Sequence, residues 1–132
     1  MTITVAVPDS AMRERLSASV AADVEVIVWR PGDKPRANPI DLLVMPYTVS
    51  YADLKGLGGQ VRHIQSQSLG YDGAADSVPD GVTFSNAVGV HEAPTAELAM
   101  TLILASQRGW PAVGRNQAAD KWDRPTWPGL IG

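Results

Sequence analysis

Val61-Arg62-His63-Ile64-Gln65, followed at once by Ser66-Gln67-Ser68-Leu69-Gly70-Tyr71-Asp72-Gly73, decides how the rest of the chain is read. The first five residues predict a short strand, and the next eight a polar, glycine-bearing loop at its carboxyl end. Open α/β sheets bind ligands at the carboxyl ends of their strands. Gly70 and Gly73 permit tight or left-handed backbone, and successive N–H groups in such a turn form a nest for an anion. Asp72 is placed to cap a short helix that follows. A plain strand-to-helix turn fits the same spacing, and both readings stand at this point.

Working outward, strands alternate with helices. Thr2–Val7 predicts a β-branched strand ended by Pro8, which cannot continue a central ladder. Asp9 or Ser10 can cap a helix in which Met12, Leu16 and Val20 recur every fourth residue. Val24–Val28 is a second strand, Arg30–Pro39 a proline-rich loop, and Ile40–Met45 a third strand, nearly all apolar as in a sheet covered on both faces. Ser50-Tyr51-Ala52-Asp53 has the form of a capping box opening a short helix that stops at Gly56–Gly59. Val82–Ser85, after the Pro79-Asp80-Gly81 turn, is a fifth strand. This alternation predicts an α/β fold with a five-stranded parallel sheet, and the flavodoxin-like order 2-1-3-4-5 is the natural arrangement.

The remainder differs in kind. His91–Arg108 predicts one long helix with Pro94 in its first turn. Its apolar residues run almost all the way round, so a second domain or subunit must cover it. Gly109–Gly132 carries Trp110, Trp122 and Trp127 with three prolines between them, and is expected to be an arm that docks on something. The chain therefore divides into residues 1–88, a flavodoxin-like domain, and residues 89–132, a helix and arm.

Composition limits the chemistry. Among 132 residues, 45% are hydrophobic and only 19% charged, with net charge −3 and no cysteine. That excludes a basic nucleic-acid footprint, disulfides, thiol catalysis and thiolate metal sites. The long helix is too short and too interrupted to span a bilayer, which needs ~20 apolar residues. Met1-Thr2-Ile3-Thr4-Val5 lacks the basic and apolar regions of a signal peptide, which predicts a cytoplasmic protein. No nucleophile elbow, Walker loop or zinc-binding histidine pair is present. Gly56–Gly59 follows a helix rather than a strand and reads as a helix stop, not a dinucleotide fingerprint. The third strand runs into Met45-Pro46-Tyr47, without the acid a receiver domain needs, and Pro8-Asp9-Ser10 does not supply a flavin phosphate loop. His63 reads as a structural mid-strand residue; capping and dipole effects account for His91 and Glu92.

Val61–Gln65 with Ser68-Leu69-Gly70-Tyr71-Asp72, then Val82-Thr83-Phe84-Ser85-Asn86-Ala87, then Ala96-Glu97 opening an Ala/Leu-rich helix that ends in Gln107-Arg108, resembles the D-2-hydroxyacid dehydrogenases. Neither block is individually strong; their order and distance are what carry the resemblance, which extends along that family's N-terminal part. It implies a two-domain NAD- or NADP-dependent enzyme that interconverts 2-oxo acids and D-2-hydroxy acids by hydride transfer. It further implies that the Leu69 and Gly70 N–H groups hold the substrate carboxylate, with Ser68 flanking it and Tyr47 lining the pocket. The same resemblance makes residues 91–127 a homodimer interface. Trp122 or Trp127 would then either close the partner's pocket or simply pack in the dimer. The catalytic Arg, Glu and His and the cofactor fingerprint belong to a Rossmann domain that would begin where this sequence stops. The chain is therefore expected to be a truncated piece, inactive alone and without a bound cofactor or metal. The alternative is a stand-alone carboxylate-sensing or protein-interaction module of the same fold.

Overall fold

The computed structural model describes residues 2–130. Ile131 and Gly132, the last residues of the predicted arm, lie outside the described residues. Contacts gather the chain into two units, one up to Val88 and one from Gly89 onward.

In the first unit, β1 (Ile3–Val7), β2 (Val24–Val28), β3 (Ile40–Met45), β4 (Val61–Ser66) and β5 (Thr83–Ser85) form one parallel sheet. Its order is β2-β1-β3-β4-β5, as the alternation of strands and helices predicts. The chain steps outward from β1 to β2, then returns past β1 to β3, β4 and β5. The order therefore reverses between β1 and β3, and crevices in such sheets open at the carboxyl ends beside that reversal.

Ala6, Ile40, Leu43, Met45, Val61 and Ile64 of the sheet pack with Leu54 and Leu57 into the core. The last two come from a 3₁₀ helix, Tyr51–Leu57. Its predicted capping box is formed: Ser50 Oγ accepts the Ala52 N–H, and Asp53 Oδ2 accepts the Ser50 N–H at 3.0 Å. Trp29, just past β2, is also buried, with its indole N–H donating to the Lys34 carbonyl at 3.1 Å. That bond pins the proline-rich loop, a role its sequence context does not announce. Asp41, the one acid in β3, accepts the Thr4 N–H at 2.8 Å and pairs with Arg62 on the neighbouring β4.

α1 (Ser10–Ser17) is capped by Asp9, whose Oδ1 accepts the Met12 N–H at 2.8 Å. It ends one turn earlier than the Met12/Leu16/Val20 spacing predicts. Ala18 caps it, and Val20 bonds back to the Leu16 carbonyl just beyond the helix. The short helix expected after Asp72 does not form. Gly73, with φ +83°, turns the backbone left-handed, and Ala74 N–H closes a turn on Tyr71 O instead.

In the second unit, α2 (Glu92–Gln107) matches the predicted long helix to within one residue at each end. The predicted arm opens with a nine-residue helix, α3 (Trp110–Ala118). Pro111 sits in that helix's first turn, where its missing N–H costs nothing, and Gly109 breaks α2 from α3 with φ +60°. Among the described residues, no helix is long and apolar enough to cross a membrane.

Candidate functional site

The loop leaving β4 is held by its carbonyls. Tyr47 OH donates to Gln67 O at 3.0 Å. Ser68 O accepts the Ala87 N–H at 3.0 Å and the Ser66 hydroxyl at 3.4 Å. Asn86 Nδ2 donates to Leu69 O at 2.8 Å, and Tyr51 OH to Gly70 O at 2.6 Å. Four consecutive carbonyls are thus engaged by donors from β3's exit, the 3₁₀ helix and the segment after β5. The Ser68 N–H is taken as well, by Ser66 Oγ at 3.1 Å. The Leu69 and Gly70 N–H groups donate to nothing among the described residues. A turn whose acceptors are all engaged and whose adjacent donors are not is electropositive, the condition for binding an anion.

Beside this loop lies an open cavity of about 390 Å³, lined by Tyr47, Tyr51, Ser66, Gln67, Ser68 and Gly70, with Asp72 its one carboxylate. Tyr47, Ser68 and Gly70 are therefore brought together, and Leu69 lies between the last two. Tyr47 sits two residues past the end of β3 rather than within it. The sequence reading passed over Tyr51 and Asn86. Tyr51 stands inside the Ser50–Asp53 capping box, which masks it. Asn86 stands at the first position after β5 and inside the Val82–Ala87 block, which carries the resemblance without marking any one of its residues.

Trp122 and Trp127 belong to the second unit. Trp122 is 86% exposed and lines, with Asn116, Gln117 and Lys121, an open cavity of about 490 Å³. The Trp127 indole lies against Gly109, so closely that a Cβ there would fall on the ring. Gln107 Nε2 donates to Pro128 O at 3.3 Å, which holds the segment after α3 back along α2. Trp127, Trp110, Leu104 and Val113 line an apolar cavity of about 670 Å³.

Each histidine is engaged locally. His63 Nδ1 meets Thr83 Oγ1, its register neighbour on β5, at 2.5 Å. His91 precedes α2, where Glu92 turns back so that its carboxylate accepts the Gly89 and His91 N–H groups at 2.7 and 3.1 Å. The Gly89 N–H holds the Glu92 carboxyl below its ordinary range; its own backbone N–H, the His91 N–H and the His91 charge act in the same sense. Among the described residues, no group of three His, Asp or Glu is placed to hold a metal ion.

The residues present do not fit a nicotinamide dinucleotide. Such a cofactor needs a glycine-rich strand-to-helix turn whose helix N-terminus is open to its pyrophosphate. Here β1 leads into α1 through Pro8 and Asp9, and the Asp9 carboxylate already occupies that helix's first turn. Gly56–Gly59 instead close the 3₁₀ helix and lead into β4.

No family model matches the chain. No curated protein sequence matches it either. Among solved structures, it is similar to a D-isomer specific 2-hydroxyacid dehydrogenase family protein from Aeromonas salmonicida subsp. salmonicida A449, with a TM-score of 0.77 and 20% identity. The alignment covers 100% of this chain and 44% of that one, so the chain spans less than half of that protein's length. The likeness is one of fold.

Proposed function

We propose that this chain is the substrate-binding and dimer-forming portion of an oxidoreductase that moves a hydride between a nicotinamide cofactor and a 2-oxo acid or D-2-hydroxy acid. The observation that carries this reading is the loop after β4, with four carbonyls tied back and the Leu69 and Gly70 N–H groups left to donate. In this role those two groups hold the substrate carboxylate, Ser68 flanks it, and Tyr47 walls the cavity. Tyr51 and Asn86 set the loop's shape through its carbonyls, and Tyr51 also walls the cavity. The cofactor, NAD or NADP, and the acid–base residues would be held by residues other than these. This chain alone is therefore inactive: hydride transfer requires the nicotinamide to be placed against the substrate carbon. Residues 91–127 join two copies, and Trp122 and Trp127 lie either at the partner's pocket or within the dimer packing.

Titrating the ¹⁵N-labelled chain with glyoxylate or pyruvate tests the loop. The expected result is saturable movement of the Leu69 and Gly70 amide resonances. Unmoved resonances at those two residues, at ligand concentrations reaching tens of millimolar (~4 kcal/mol corresponds to 1 mM), would overturn the assignment.

A further inference from the structure

Another open cavity of the first unit, about 420 Å³, lies at the carboxyl ends of β1 and β3, where the strand order reverses. Arg15 and Arg30 both line it. Arg30 follows β2 by two residues and is fixed in place: its Nε donates to Pro8 O, and its backbone N–H donates to Asp33 Oδ2 at 2.8 Å. Those bonds leave both terminal guanidinium nitrogens available. Arg15 comes from the last turn of α1. Neither makes an ion pair among the described residues, where the pairs are Arg62–Asp41 and Lys121–Asp123. Asp9 is the one carboxylate in the lining, and its Oδ1 is occupied by the Met12 N–H. The cavity therefore carries a net positive charge from two guanidinium groups that present planar forks of donors.

This cavity and the one beside the Leu69-Gly70 loop adjoin. Pro46, Tyr47 and Gln67 line both, and the Tyr47 OH bonds the Gln67 carbonyl between them. A monocarboxylic 2-oxo acid held at the loop has no use for two arginines on the far side of Tyr47. An acid with a second anionic end does, because arginine forks match carboxylate and phosphate oxygens in pairs.

We infer that the substrate site continues past Tyr47 onto Arg15 and Arg30, and that its ligand is a 2-oxo acid with a second anionic group at its far end. This rests on the reading of Leu69-Gly70 as the loop for the first carboxylate. The two ends of the molecule are then read by different chemistry: backbone N–H groups at one, guanidinium forks at the other.

Calorimetry on the chain with length-matched acids tests it, oxaloacetate against 2-oxobutyrate and 2-oxoglutarate against 2-oxopentanoate, while amide spectra follow Leu69 and Gly70. One diacid of the two is expected to bind about tenfold or more tightly than its partner at low salt, the scale of a charge-assisted contact. In Arg15→Gln and Arg30→Gln that ratio is expected to fall toward one. Arg15→Gln decides alone if Arg30→Gln, which loses the tie to Pro8, does not fold. Equal affinities in the unsubstituted chain, or a preference that survives Arg15→Gln, would overturn the inference while leaving the loop assignment intact if the amides still move. Amides that move with neither acid would instead overturn the loop assignment. Inorganic phosphate that shifts the Arg30 Nε–H, with no competition from 2-oxoglutarate, would mark a separate anion site and also overturn the extension.

Discussion

Gly70 has no reason inside the chain to be glycine. Its backbone lies outside the left-handed region, and a Cβ there would meet nothing within 4 Å. Gly70 lines the cavity beside the loop, and in the proposed role a methyl group there would crowd the ligand. Gly70→Ala is therefore expected to keep stability within about 0.5 kcal/mol in chemical denaturation. The same change weakens glyoxylate binding about tenfold, the effect of ~1.4 kcal/mol. A large stability loss with binding intact would place the glycine's role in packing instead. Glu92 makes the opposite kind of claim, because every partner it has is internal. Its carboxyl titrates below the ordinary 4.5, so the folded state favours the ionised form. That stabilisation is fully present above the ordinary value and fades as pH falls through the lowered one. In helix circular dichroism, Glu92→Gln should melt lower than the unsubstituted chain at pH 7, with the gap closing as pH falls below the ordinary carboxyl range. A Glu92 carboxyl found titrating at or above its ordinary value by ¹³C shift would refute this.

At the scale of elements, the junction between α2 and α3 is the tightest constraint in the second unit. Gly109 is required twice there, by φ +60° and by the Trp127 ring lying over its Cα. Gly109→Ala should cost about 2–4 kcal/mol, combining left-handed strain with an overpacked ring. A loss below about 0.5 kcal/mol in denaturation followed by Trp fluorescence would show that the ring swings away freely. This junction also shows where reading the sequence stops. The five strands were legible because β-branched runs bounded by Pro and Gly have few alternatives. The Ser50–Asp53 box was legible because a cap acts within four residues. α3 was not, because Trp110 and Pro111 read simply as part of an arm unless proline is recognised as a first-turn residue. The loop itself was legible from Ser68-Leu69-Gly70. Of its supports, Tyr47 was named only as a pocket wall, and Tyr51 and Asn86 were not assigned to the site, because side-chain ties that cross 17 to 20 residues leave no local pattern even when the sheet order is known.

Across the whole chain, burial is unevenly shared. The core cluster lies entirely before Val88, whereas α2 and α3 hold no buried residue among those described. Leu98, Leu102 and Ile103 are each about half or more exposed, and a continuous apolar surface of that kind drives association. Light scattering is expected to give a dimer, with Leu102→Glu shifting it to monomer; a monodisperse monomer at high concentration would remove this interface. The carbonyl ties of the loop after β4 have a consequence for how the molecule holds together. Asn86 and Ala87 reach the loop from beyond β5, so the loop keeps its shape only while β5 stays on the sheet. In the proposed role, a bound carboxylate would act as a latch on the finished fold, stabilising it by mass action.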